Sequence, residues 1–241
     1  MKNTNLNSSE KIISYVYLAV SAVFYAVIVA FKIFSVDAVR YVIPAFVVVV
    51  FLYSLTATFR QTWLISLALL FVVIGDVLLN LTPVGDLAIV SFSVTHICLT
   101  IFYVRKKPFE KKDMPFLIPF ALIAVLYYCV VFNDIPQTVA ILKFVLPVYL
   151  CLLALMAWRA LCLVLSDVCK LERKKITIGS TLFYATDLLV FLQIIYGHPK
   201  MFVVGTWILY PPALVLLSTF GKRIFSSIKH SDCDDCAEEP A

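Results

Sequence analysis

Apolar residues in this chain gather into long runs separated by short polar breaks. Val47-Val48-Val49-Val50-Phe51-Leu52 is one such stretch with no polar residue in it. A strand of a membrane barrel alternates apolar and polar positions over about ten residues, and these runs do not. A helix that crosses a bilayer needs about 20 mostly apolar residues. Eight windows satisfy that length: 12–31, 41–58, 62–80, 87–104, 115–133, 139–160, 176–196 and 202–220. In hydrocarbon, only helices and closed barrels satisfy every backbone polar group. The pattern therefore predicts an all-α integral membrane protein, a compact bundle of eight transmembrane helices. The first run follows Lys11, is too long for a signal peptide, and is not closed by a small-x-small cleavage site, so it counts as the first span. The connections are too short for a separate soluble domain. The expected organisation is a cytoplasmic segment 1–11, a membrane domain 12–220 and a cytoplasmic tail 221–241.

Composition supports lipid as the solvent. Hydrophobic residues make up 62% and charged residues 15%, with a mean hydropathy of +0.98. Soluble domains run at roughly 45–50% apolar and about 25% charged. The net charge of +5 matters less than its placement. Lys2 and Lys11, then Arg60, then Arg105, Lys106, Lys107, Lys111 and Lys112 fall on the side of the amino terminus. Lys170, Arg173, Lys174, Lys175, Lys222, Arg223 and Lys229 continue that side, while Lys32, Arg40 and Lys200 lie on the other. Positive loops stay in the cytoplasm, so both termini are expected there, which requires an even number of spans. The basic residues form no compact domain, which excludes nucleic acid as a partner. The location implied is multi-pass: the inner membrane of a bacterium, or the endoplasmic reticulum of a eukaryote.

The seven cysteines lie mostly within or beside apolar runs, where a free cysteine packs as a small hydrophobe. Cys233 and Cys236 form a C-x-x-C in the tail. Two thiols do not complete a four-ligand zinc site. Prolines at 44, 119, 147, 211 and 212 fall in or near spans and kink membrane helices. Gly75-Asp76 and Thr186-Asp187, in the third and seventh spans, hint at a four-plus-four duplication, but the halves otherwise diverge.

An ionisable side chain at the bilayer centre costs roughly 2.5–3.5 kcal/mol on insertion scales. The few such residues are therefore the most informative: Asp76, His96, Lys143, Arg159 and Asp187. Lys143 and Arg159 lie near helix ends, where long basic side chains snorkel or meet a lipid phosphate. Asp76, His96 and Asp187 are deeper and are expected to meet in one cavity at or above the midplane. Helical spacing extends each into a polar stripe that faces a bundle interior. The stripes are Asp76 with Asn80; Ser93, His96, Thr100 and Tyr103; and Ser180, Tyr184 and Asp187. A polar network that only fixes helix register is the plainer explanation for any one of them, yet intramembrane carboxylates are rare without a function.

Two carboxyl groups in a low dielectric do not both ionise easily. The pair then holds one acid able to donate a proton and one base able to accept it, the equipment for hydrolysing an acid-labile bond. Other catalytic patterns are missing: the chain has neither G-x-S-x-G nor H-E-x-x-H. Its three histidines are His96, His198 and His230. On the deduced topology His198 is on the outer face and His230 in the tail, so no three-histidine zinc site assembles.

Several stretches match a known family. Leu70 to Leu79, containing Gly75-Asp76, resembles the G-D-x-x-L helix of the YhhN-type lysoplasmalogenase family. His96 resembles the histidine of its next span. Pro147-Val148-Tyr149 and Met156-Ala157-Trp158-Arg159-Ala160 resemble its P-V…Y…M-x-W-R-A helix. Gly179 to Asp187, with Phe183 between, resembles its G-x-x-x-F-x-x-S-D helix, and Tyr210 to Ala213 its Y-x-x-A-Q. The similarity covers about 62–220. Thr186 stands where the family has serine, Leu99 where it has tyrosine (Tyr103 is one turn on), and Leu214 where it has glutamine.

The resemblance implies hydrolysis of the vinyl ether bond of a lysoplasmalogen, an amphiphile that reaches the cavity from the lipid bilayer. The products would be a fatty aldehyde and glycerophosphoethanolamine or glycerophosphocholine. It implies Asp76 and Asp187 as the acid–base pair, His96 as the group that orients one of them or holds water, and no metal or cofactor. Tyr149, Tyr184, Tyr210 and Asn80 are expected to line the substrate site, and Arg159 to hold the phosphate. A proton-coupled transporter of a lipid or small molecule is the alternative use of the same Asp/His cluster. It would show broken helices and an inverted repeat, and neither is evident in the sequence.

Overall fold

Apolar faces that must leave water, and backbones that must leave none of their polar groups to lipid, make eight long helices. The computed structural model describes residues 8–56, 59–82, 84, 87–137, 140–166 and 168–220. Cys233, Cys236 and His230 lie outside the described residues. The helices are α1 (Ser8–Ile33), α2 (Val39–Thr56), α3 (Phe59–Leu81), α4 (Ala88–Lys106), α5 (Leu117–Val131), α6 (Leu142–Cys162), α7 (Lys170–Tyr196) and α8 (Lys200–Ser218). Each is part of a stretch long and apolar enough to cross a membrane, and the described residues contain no strand. The chain is an integral, multi-pass membrane protein.

The helices alternate in direction. Ties between distant residues fix which ends lie together. The Tyr17 hydroxyl is 2.7 Å from that of Ser218, and the Tyr53 hydroxyl donates to Ser14 Oγ at 3.0 Å. Both ties lie at the end where Lys107, Arg159 and Lys175 are found, here called the basic end. At the opposite end Tyr128 donates to the Lys143 carbonyl at 2.9 Å, and Tyr196 to Asp134 at 2.6 Å. Neighbouring helices close a ring in the order α1, α2, α3, α4, α6, α7, α8 and back to α1, with α5 packed outside against α6. Ile118, Leu122, Val125 and Val130 of α5 are exposed, as expected of a helix with most of its surface in lipid. Buried Phe46, Leu69, Leu146, Leu153, Phe183 and Leu214 fill the middle of the ring.

The helix starts differ from the hydropathy windows by one to six residues, and those of α3 and α7 have local causes. α7 begins at Lys170, before the window at 176, because its first turns are basic and amphipathic. α3 begins at Phe59 but breaks at Thr62, where φ is −125° and ψ 15°. The straight part therefore starts where the apolar run does. Pro44, Pro147, Pro211 and Pro212 lie inside helices, where neighbouring helices and local adjustments take up the freed backbone groups.

The α7–α8 pair carries one site aspartate and one site tyrosine, and its close approach depends on Gly179. A Cβ there would stand 3.1 Å from Leu216 Cβ and 3.3 Å from the Ala213 carbonyl oxygen. Small residues allow such approach between membrane helices. Replacing Gly179 by leucine is expected to push the two helices apart and cost about 1–3 kcal/mol, read as a lowered melting temperature in detergent. An unchanged melting temperature would mean that the contact is slack.

Candidate active site

Asp76 and Asp187 lie on different helices, in distant parts of the chain, and line one cavity of about 260 Å³. α3 and α4 form one wall through Leu79, Ile89 and Phe92. α6 contributes Tyr149. α7 contributes Thr186, Asp187, Val190, Phe191, Ile194 and the loop residue His198, and α8 contributes Thr206, Trp207 and Tyr210. Asp76 is five residues from the end of α3 and Asp187 nine from the end of α7. At 1.5 Å per residue those depths are roughly 8 Å and 14 Å. His198 lies beyond the end of α7 and is exposed. The cavity thus runs from the carboxyl groups to the end opposite the basic one.

Each carboxyl group is held by a tyrosine. The Tyr210 hydroxyl donates to Asp76 Oδ2 at 2.5 Å. The Tyr149 hydroxyl donates to Asp187 Oδ2 at 2.7 Å. His96 Nε2 is 2.8 Å from the same oxygen and 2.9 Å from the Tyr149 oxygen, so three polar atoms form a triangle. The Tyr149 proton is committed to the carboxylate. A bare Nε2 would face two oxygens with its lone pair, so Nε2 carries a hydrogen. His96 is fully buried and its Nδ1 has no partner among the described residues. Aromatic rings close around these groups: Phe183 is 5.4 Å from the His96 ring and 6.0 Å from that of Tyr210, and Phe191 is 4.9 Å from Tyr149. Gly75, next to Asp76, leaves room for Phe92, whose ring would lie 2.9 Å from a Cβ at that position.

The expected site residues divide into two groups. Asp76, Asp187, Tyr149 and Tyr210 line the cavity, and His96 stands behind Asp187. The others point elsewhere. Asn80 is half-buried and donates to the Asp76 carbonyl at 2.9 Å, as a helical i+4 amide does. Tyr184 is buried against Phe120, its hydroxyl without a partner among the described residues and outside the cavity wall. Tyr103, the substitute one turn beyond Leu99, is 2.6 Å from Ser180 and likewise outside it.

Arg159, expected to hold the phosphate, lies apart from the cavity. Arg159 is only 3% exposed and lies at the basic end, where Nη1 is 3.4 Å from Asp113 Oδ2 and Nη2 donates to the Lys107 carbonyl. An interior carboxylate holds it there.

Three cavity features escaped the sequence reading. His198 lies exposed at the end opposite the basic one, and the turn after α7 also brings it into the cavity wall. Trp207 is one helical turn from Tyr210, with ring centroids 5.5 Å apart, so i+3 spacing from Tyr210 would have found it. Gln193 is buried and donates to Thr206 Oγ1 at 2.5 Å, bracing the wall. No group of three or more histidine, cysteine, aspartate or glutamate side chains among the described residues converges closely enough to hold a metal ion.

Residues 38–219 match the model of the YhhN family, and the chain belongs to that family. No curated protein and no solved structure matches it.

Proposed function

We propose that the protein is an intramembrane hydrolase that cleaves the vinyl ether bond of lysoplasmalogens, with Asp76 as acid and Asp187 as base. One observation supports this above others: two carboxyl groups share one mostly apolar cavity and have unequal partners. Asp187 Oδ2 accepts from Tyr149 and meets His96 Nε2, a setting that favours a carboxylate. Among the described residues Asp76 has a single tyrosyl donor at Oδ2, and this leaves it the member of the pair to carry the proton.

The reaction begins with transfer of the Asp76 proton to the alkene carbon distant from the ether oxygen. The double bond becomes an oxocarbenium ion, stabilised by the Asp187 carboxylate and the faces of Tyr149 and Tyr210. Water adds to the carbon beside oxygen as Asp187 takes its proton, giving a hemiacetal. The hemiacetal hydroxyl returns its proton to Asp76, the carbon–oxygen bond breaks, and the glycerol oxygen takes the proton from Asp187. Both carboxyl groups are restored, and one water has been consumed. The scheme parallels glycoside hydrolysis by paired carboxylates.

The test is incubation of the detergent-purified full chain with a lysoplasmalogen in D2O. A free aldehyde and glycerophosphoethanolamine or glycerophosphocholine should appear by mass spectrometry, with one deuterium on the aldehyde carbon next to the carbonyl. An enzyme needs no gradient or sealed vesicle, whereas a transporter does. No aldehyde in detergent, together with uptake in vesicles, would replace this proposal with the carrier. Tyr149→Phe removes a charge-assisted hydrogen bond to Asp187 and Tyr210→Phe the tyrosyl donor that positions Asp76, and kcat is expected to fall roughly 10- to 100-fold with a retained fold. Full activity in both phenylalanine variants would separate the tyrosines from the chemistry.

A further inference from the structure

At the mouth of the cavity one basic side chain stands in the wall and a second packs against a wall residue, and the acid–base chemistry uses neither. His198 is part of the cavity wall and is reached by successive left-handed residues, Gly197 at φ 71° and His198 at φ 61°. A side chain other than glycine rarely adopts that conformation. Here it closes the turn from α7 into α8, with the His198 amide donating to the Gln193 carbonyl at 2.7 Å. Lys32, near the end of α1, lies with Nζ 5.0 Å from the centre of the Trp207 ring. Trp207 lines the cavity and its ring is 5.5 Å from that of Tyr210, the donor to Asp76. Lys32 forms no ion pair with any described carboxylate; Asp134, the acid bonded to Tyr196 at this end, is engaged by that hydroxyl.

We propose that His198 and Lys32 form an anion subsite at the cavity mouth that holds the phosphate of a lysophospholipid headgroup. This deepens the hydrolase reading and rests on the cavity being a lysolipid site. A phosphate is separated from the chain-bearing oxygen by three glycerol carbons. Two ring-sized steps, from Lys32 to Trp207 and from Trp207 to Tyr210, separate the ammonium from the group that holds Asp76. A phosphate at the mouth therefore sets the first bond of the chain beside the carboxyl groups, with the apolar side chains of Ile89, Val190 and Ile194 flanking the path between mouth and carboxyl groups. The ammonium leaves an aromatic face, where a cation is held weakly, for a phosphate that offers charge and acceptors together. Arg159, the other basic residue considered for the phosphate, is already committed to Asp113 at the far end.

Binding tests this without turnover. The full chain in detergent is titrated with a saturated 1-O-alkyl lysophospholipid, which has no vinyl ether to cleave, and with a 1-O-alkylglycerol of the same chain length. The wild type should bind the phosphate-bearing lipid at least roughly tenfold more tightly. The preference should collapse in His198→Ala/Lys32→Met, while affinity for the alkylglycerol stays the same and shows the variant folded. Equal affinity for the two lipids in the wild type overturns the proposal, as does a preference that survives both substitutions. Inorganic phosphate that displaces the lysolipid at equal concentration would mark a free-anion site and overturn the headgroup assignment. If the lipids behave as proposed but no aldehyde is released, the hydrolase reading fails and the subsite stands.

Discussion

Asp76→Asn and Asp187→Asn are each expected to lower aldehyde release by roughly 10²–10⁴-fold, the range that a positioned general acid or base contributes, with the protein still inserted and folded. Asparagine keeps the shape of aspartate and one acceptor oxygen. Tyr210 can still donate at position 76, and Tyr149 and His96 Nε2 at position 187. What is lost is the proton of one group and the proton affinity of the other. A neutral amide avoids the cost of a buried charge, so the melting temperature should hold or rise. The two variants separate the roles. Without the acid at position 76 the oxocarbenium ion does not form, and no added nucleophile restores the rate. Without the base at position 187 the ion still forms slowly, and azide, which needs no deprotonation, should trap it as an α-azido ether and restore part of the substrate consumption. Product release near the wild-type rate from either variant would remove the proposed chemistry. Rescue of Asp76→Asn rather than Asp187→Asn would exchange the two assignments.

The eight spans were legible because hydrocarbon sets a length and a composition that hydropathy reads directly. The starts of α3 and α7 were blurred where a helix continues past the apolar run into polar residues, as Lys170 to Lys175 do. Asp76, His96 and Asp187 stood out as costly residues in apolar stretches, and the structure brings Asp76 and Asp187 to one cavity with His96 bonded to Asp187. Their tyrosine partners came from family resemblance; spacing within α6 and α8 says nothing of which helix each will face. The same absence of cross-helix information misled the reading of Arg159. Its depth was visible, but its partner Asp113 sits outside the fifth apolar window, in a charged connection that reads as solvated. His198 was lost for a similar reason. A loop residue is placed by the turn that carries it, and that turn depends on two consecutive left-handed residues which no hydropathy pattern shows.

Asp113→Ala is expected to destabilise the fold by about 3–5 kcal/mol, the range found when one partner of a buried ion pair is removed. Asp113 has no exposed surface; Lys107 is 5% and Arg159 3% exposed. Lys107 Nζ donates to both carboxylate oxygens, at 2.6 and 2.7 Å. Trp158 Nε1 donates to the Asp113 carbonyl at 2.8 Å, and the Glu110 amide to Asp113 Oδ2 at 3.1 Å. One carboxylate thus joins the end of α4, the 3-10 turn Lys111–Phe116 that leads into α5, and the end of α6. Deleting it leaves buried Arg159 without its carboxylate and Lys107 with only the longer contact to the exposed Glu110, at 3.6 Å. The expected reading is a large fall in melting temperature in detergent. A triple variant, Lys107→Met/Asp113→Leu/Arg159→Met, removes all three charges together. It should recover most of the loss, because apolar packing in place of a buried charge cluster is often neutral or stabilising. The cluster lies at the end of the bundle away from the cavity mouth, so the triple variant should also keep the KM of the wild type. A raised KM there would return Arg159 to the substrate site, and an Asp113→Ala protein as stable as wild type would show that water reaches both cations.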